Sequence, residues 1–187
     1  MPSAGDLKDR LEVLELKQNE AGNWSWSCSR NTWAQVTPDI KKRDLFSSVG
    51  IGARAASVIL RRQPLTMGHA LRWNGQHLFL TAILPGQNRG WLQVRAALCS
   101  PVECQKDAHL EAAGIKFPGV LTEKYIGHEQ LDPLAVVTRD YVLVTPKPVT
   151  LAPGSWVICS GEYYRVLVPH ELDEYKNEYE IRRKEDC

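Results

Sequence analysis

The sequence predicts a mainly β protein, built as two small antiparallel β-barrel or sandwich domains in tandem with few short helices. Three observations predict it. Apolar residues alternate with polar ones in short runs, the period of strands rather than of helices. Asn74-Gly75 stands between two such runs, the strongest short-range hairpin signal. And the pattern QPLTMGHALRWNGQHLFLTAIL (63–84) is written again as KPVTLAPGSWVICSGEYYRVLV (147–168).

The first hundred residues read as one domain. LEVLELK (11–17) is a half-alternating strand, Gly22-Asn23 is its turn, and Trp24, Trp26 and TWAQV (32–36) form the returning strand of a long hairpin. ASVILRR (56–62) is strand-like, GHALRWNGQHLFLTAIL (68–84) is two strands joined through Asn74-Gly75, and WLQVRAAL (91–98) closes the set after the turn-rich PGQNRG. Between them, DIKKRDLFSSVGIGARA (39–55) begins like a short helix and ends in Gly50 and Gly52, which predicts a long mobile connection.

The second half repeats the later part of this plan. Pro64-Leu65-Thr66 matches Pro148-Val149-Thr150, Gly68 matches Gly154, Leu71 and Trp73 fall near Val157 and Cys159, and Asn74-Gly75 matches Ser160-Gly161. Each copy continues with an apolar strand (HLFLTAIL or YYRVLV), a polar loop and a last strand (LQVRA or YEIRR). Matched turn positions favour duplication over convergence. The expected division is a barrel over 1–100, a partly helical linker over 101–117 that stops at Pro118-Gly119, and a second, similar β-domain over 118–187. The string HELDEYKNEYEIRRKED (170–186) reads as a solvated loop and strand.

Composition sets outer bounds. With 187 residues, 43% hydrophobic and 24% charged, the chain has ordinary globular composition. No run approaches the roughly 18 apolar residues of a membrane helix, and the opening MPSAGDLKDR lacks the apolar core of a secretory signal, so the expectation is a protein made inside a cell, without a membrane partner. Five cysteines without a C-x-x-C pair argue for reduced thiols rather than a disulfide framework. The net charge of +1 conceals an asymmetry: residues 1–100 hold 13 Lys and Arg against 7 Asp and Glu, and residues 101–187 hold 10 against 15. Opposite signs on two halves steer copies onto one another or onto different neighbours, unless they are a drift of surface residues.

Catalytic patterns are missing. The five histidines are scattered, with no H-E-x-x-H spacing, and no G-x-x-x-x-G-K-[ST], G-x-S-x-G or G-x-G-x-x-G occurs. His69 and His77 flank the Asn74-Gly75 hairpin and invite comparison with a metal pair, although a structural pair is commoner. VGIGARA lacks the Lys and the framing elements of a phosphate loop. The six tryptophans sit at strand positions, as core or interface anchors do. The expectation is a protein that is not an enzyme and holds no cofactor or metal.

A resemblance rests on three short motifs in order. Gly5, Asp6, Leu7, Arg10 and Leu11 match an opening G-D-L-R-x-R-I; Trp33, Ala34, Val36 and Pro38 match W-A-x-V-x-P; Trp73, Gly75, His77, Phe79 and Thr81 to Ile83 stand for a glycine-turn strand. Over about its first hundred residues the chain resembles the tailed-bacteriophage head-tail joining proteins, also called head-closure or stopper proteins. The resemblance implies a virion neck protein, assembled in the bacterial host cytoplasm as a homo-oligomeric ring of six- or twelvefold symmetry. Its implied neighbours are a portal or adaptor protein on the head side, a tail terminator or tail-tube protein on the tail side, and packaged double-stranded DNA in the channel. The implied DNA-facing loop corresponds to Lys41, Lys42, Arg43, Phe46, Gly50, Gly52 and Arg54; its basic residues would touch either phosphates or acidic neighbours. The added second half departs from the single-domain pattern of such proteins. The competing class is a cellular small-barrel module that binds a peptide or single-stranded nucleic acid.

Overall fold

Hydrophobic alternation becomes two closed sheets in the computed structural model, which describes residues 4–44, 53–86, 89–106, 114–123, 140–171 and 173–184. Among the described residues a single 3-10 turn, Ala4–Asp6, precedes twelve strands. β1 (Asp9–Gln18), β2 (Trp24–Asp44), β3 (Ala53–Arg61), β4 (His69–Trp73), β5 (Gln76–Pro85) and β6 (Trp91–Cys99) form one barrel in the order β1-β2-β3-β6-β5-β4, with β4 pairing back onto β1. β7 (Val102–Lys106), β8 (Lys116–Glu123), β9 (Asp140–Pro146), β10 (Trp156–Cys159), β11 (Glu162–His170) and β12 (Lys176–Arg183) form the second, in the order β7-β8-β9-β12-β11-β10, with β10 pairing back onto β7. The two orders are identical when β1 to β6 are laid over β7 to β12. Each barrel lies in its own compact unit.

The correspondence extends below topology. Asn74 and Ser160 both take a positive φ, 49° and 53°, and the glycines after them stand at 79° and 86°. Two successive positive φ angles make the primed hairpin turn whose twist matches the flanking strands. Six residues beyond each turn glycine the following strand carries an irregularity, between Leu80 and Ala82 in β5 and between Val166 and Val168 in β11. Such a bulge bends a strand sharply enough for a small sheet to close.

The interiors are filled by side chains. In the first barrel Leu11, Val13, Ala34, Ala56, Val58, Leu60, Leu71, Leu78, Leu80, Val94 and Ala96 form one buried cluster, capped by Leu65 and Met67 from the β3–β4 connection. The opposite face of the same strands carries a second buried row, in which Leu14 opposes Ala70, Ala70 opposes Phe79, Phe79 opposes Ala97 and Ala97 opposes Ala55. Hence the unbroken run His77, Leu78, Phe79, Leu80: burial on both faces removes the need for alternation.

The second barrel closes with a different interior. Where Leu60 opposes Leu92 in the first, Thr145 opposes Asn177, and both are buried. The Asn177 amide donates to the carbonyls of Lys147 and Val149, at 3.0 and 2.9 Å, and the Thr145 hydroxyl also donates to Val149, at 2.8 Å. The Tyr179 hydroxyl accepts from the Leu151 N–H at 3.1 Å and donates to the Glu171 carboxylate. These bonds hold the Lys147–Leu151 corner in place, with Val149 and Leu151 each 3% exposed.

Two expectations need correction. The segment 101–117 is not a helical linker where it is described: β7 lies within it, and Cys104 and Phe117 are core residues of the second barrel. Pro118-Gly119 does not stop an element but sits inside β8. Proline is tolerated because β8 pairs with β7 over Lys116–Gly119 and with β9 only from Val120 onward, leaving one side without a ladder at Pro118. Gly119 is required by packing, since a Cβ there would stand 2.7 Å from Leu143 Cδ1 and 3.0 Å from Cys104 Sγ. The C-terminal string is less solvated than expected. Lys176 and Glu178 are buried and paired at 3.1 Å, while Asn177, Tyr179 and Ile181 point into the barrel.

The paired turns give a direct check on the equivalence. No side chain or backbone atom lies within 4 Å of a Cβ at Gly75 or Gly161, so only backbone strain opposes alanine. Gly75→Ala and Gly161→Ala should each lose about 1 kcal/mol in urea unfolding, by the same conformational penalty at both sites.

Candidate functional site

The region matched to a channel loop grows out of the β2–β3 ladder. Over its first half β2 pairs with β1, as far as Ala34 opposite Asp9, and from Ala34 onward it pairs with β3. Past that exchange β2 keeps only β3 as a neighbour, while β3 stays in the barrel, paired with β6 from Arg54 to Arg61; this β2–β3 ladder, the arm, passes the β6 ladder only at Asp44 opposite Ala53. Thr37, Pro38 and Asp39 are exposed, and Arg54 is exposed on the facing strand. The ladder is interrupted after Asp39 opposite Ala55 and resumes with Arg43 opposite Arg54 and Asp44 opposite Ala53.

This changes the expected loop over 39–55. Residues 39–44 and 53–55 are strand, not the start of a helix or a connection, because each supplies the other with a ladder partner. Lys41 and Lys42 fall in the irregularity and Arg43 directly opposite Arg54; Phe46, Gly50 and Gly52 lie outside the described residues. Like charges at opposed positions of an antiparallel pair repel.

Sequence reasoning missed the residue that holds the arm's base. Asp9 ends the β1–β2 ladder, and the next inward N–H of β2, at Val36, has no β1 partner. The Asp9 carboxylate takes both free donors there: Val36 N–H donates to Oδ2 at 2.8 Å and the Trp73 indole Nε1–H donates to Oδ1 at 3.0 Å. One side chain thus ties β1, β2 and β4 together where β2 leaves β1. The visible signal was an acidic residue at the first position of a strand beside the G-D-L motif, but nothing local names its partners 27 and 64 residues away.

Beside the arm's base, Trp33 is 57% exposed. It borders an open depression of about 560 Å³ lined also by Leu7, Asn31, Thr32 and Arg61.

The two histidines of the β4–β5 hairpin do not face each other. His69 shares the face of Leu71 and bonds through Nδ1 to the Thr66 hydroxyl at 2.8 Å. His77 opposes Arg72 on the other face, its ring 5.3 Å from Trp26. Burial, with a smaller contribution from the Arg72 charge, lowers the His77 pKa to about 4, and its Nε2 has no hydrogen-bond partner among the described residues. Among the described residues no three His, Cys, Asp or Glu side chains converge.

Comparison with protein-family models finds no match, and comparison with curated proteins finds none. Among solved structures, a chain of the "Virion of native gene transfer agent (GTA) particle" is similar at 17% identity and a TM-score of 0.40, over 51% of this chain and 94% of that one.

Removing the Asp9 carboxylate should orphan two half-buried donors. Asp9→Ala should cost about 1–3 kcal/mol and speed hydrogen exchange at Val36 ahead of the barrel core. His77 sets an acid limit. Its folded pKa of about 4 lies below the ordinary 6.5, so the unfolded chain binds the proton first, and stability present above pH 6.5 is lost as pH falls toward 4. The loss should reach on the order of 3 kcal/mol, and His77→Gln should flatten that part of the profile in urea titrations at successive pH values.

Proposed function

We propose that this chain is a structural, non-catalytic virion protein of a tailed-phage neck, forming a homo-oligomeric ring between the portal or adaptor of the filled head and the tail, with the β2–β3 arm turned to the DNA channel. One observation carries the reading. The three motifs of the head-closure resemblance fall on one closed barrel, and the segment matched to the channel loop continues that barrel's β2–β3 ladder past the point where β2 leaves β1. The arm holds four cationic residues, Lys41, Lys42, Arg43 and Arg54, against two acidic ones, Asp39 and Asp44. A packaged duplex is a dense polyanion, which such basic residues would suit.

Two further features fit a ring. A closed barrel leaves little free edge to add to a neighbour's sheet, so copies would meet largely through side chains. Trp33 is an exposed aromatic of the kind that interfaces bury at their centres. The opposite net charges of the two halves suit a head-to-tail contact between successive copies.

The test is deletion of Phe46–Gly52 from the full chain, followed by assembly with portal and adaptor and measurement of DNA retention. Rings should form while filled heads leak. Rings that fail although the monomer stays folded would make the arm an intersubunit contact and end the gating idea. Replacing Lys41, Lys42, Arg43 and Arg54 together by Gln separates the two partners of the basic residues: leakage with intact rings indicates DNA, and loss of rings indicates acidic neighbours. A chain that stays a 21.1 kDa monomer with every neck component, yet binds a peptide or single strand, would favour the small-barrel binding module instead.

A further inference from the structure

In the second barrel, closure depends on the shortest ladder it contains. β10 pairs with β7 through only three residue pairs, Val157 with Lys106, Ile158 with Gln105 and Cys159 with Cys104, whereas β4 closes the first barrel on β1 through five. At the last of the three pairs two thiols stand directly opposite one another. Their Sγ atoms are 2.7 Å apart, closer than sulfurs pack without a shared proton or a bond, and the two residues are 1% and 0% exposed. The matching positions of the first barrel hold Leu11 and Trp73, the latter fixed by its bond to Asp9. The second barrel therefore has neither the long ladder nor the large aromatic at its seam.

We propose that Cys104 and Cys159 are a disulfide site, a covalent staple that locks β10 to β7 and closes the second barrel. Directly opposed residues of an antiparallel pair stand roughly 4.5–5.5 Å apart at Cα, inside the roughly 4.4–6.8 Å range that a disulfide spans. No backbone movement is needed. The bridge would close a long loop, the two residues being 55 apart in the chain, and so would remove much conformational freedom from the unfolded second unit. The other described cysteines offer no rival: Cys28 is exposed and Cys99 lies in the first barrel.

The chemistry is a two-electron exchange with a low-molecular-weight disulfide. One cysteine thiolate attacks it and releases one small thiolate; the second cysteine thiolate attacks the resulting mixed disulfide at the protein sulfur and releases the other. Both protein protons end on the two small thiols, and the small disulfide is reduced. Neighbouring sulfur and burial push the Cys104 thiol well above its ordinary range, so the folded pair reacts slowly. The bridge consequently forms while the chain folds, or whenever the short seam opens. It depends on the second barrel's own geometry and not on the ring.

The experiment refolds the full chain from urea in oxidised and reduced glutathione, beside a sample kept with a phosphine reductant. The expected product is two hydrogen atoms lighter, leaves three of the five thiols open to alkylation, and yields one linked pair of peptides containing Cys104 and Cys159. Its second-unit thermal transition should lie higher than the reduced sample's by on the order of 10 °C, and the difference should vanish in Cys104→Val and Cys159→Val. Cys28→Ser with Cys187→Ser should leave the linked pair and the raised transition unchanged, with one thiol open to alkylation instead of three. The proposal is overturned if all five thiols alkylate after oxidative refolding, if the links involve other cysteines or glutathione adducts, or if the bridge forms without raising the transition. Should the valine variants fail to fold, the oxidised and reduced wild-type samples decide alone.

Discussion

Everything in this molecule follows from closing a sheet of only six strands on itself. A sheet that short must twist and stagger steeply to bring its last strand back to its first, and it succeeds only where strands bend and change neighbours partway along. β2 leaves β1 for β3 at Ala34; β8 leaves β7 for β9 at Val120. Both barrels then add a positive-φ hairpin and, six residues later, a bulge. Repetition of these devices at matched positions is a closer likeness than shared topology, because a turn or a bulge is easily shifted by a single inserted residue.

The same closure leaves open ends to be sealed, and the two barrels seal them differently. The first lays Leu65 and Met67 over an apolar floor. The second draws its Lys147–Leu151 corner down with hydrogen bonds from Asn177, Thr145 and Tyr179. An apolar lid tolerates small shifts, since dispersion is not directional. A buried polar network does not: each donor must meet its acceptor, so it fixes one position of the corner.

Strand exchange also explains how a barrel carries an arm. Once β2 has left β1 its backbone donors on that side have no ladder, and any extension beyond the barrel would begin from unsatisfied groups. The Asp9 carboxylate answers this at the point of departure by accepting from Val36 and from the Trp73 indole. From this anchored base β2 and β3 run on together, bringing basic positions opposite each other at Arg43 and Arg54.

By itself the sequence determined whatever depends on neighbours within a few residues. The Asn74-Gly75 and Ser160-Gly161 turns, the β4–β5 strands and the mainly β class were legible because turn chemistry and two-residue alternation are local. Only the tertiary structure decided the rest. That 102–106 is a barrel strand, that Pro118 has an open side, that Lys176 and Glu178 are buried, and that residues 39–44 and 53–55 are strand each depend on a partner far along the chain. So does the meeting of Cys104 with Cys159 and of Asp9 with Trp73. Alternation says that a residue faces inward, but the strand register, set by closure of the whole sheet, says which residue it meets there.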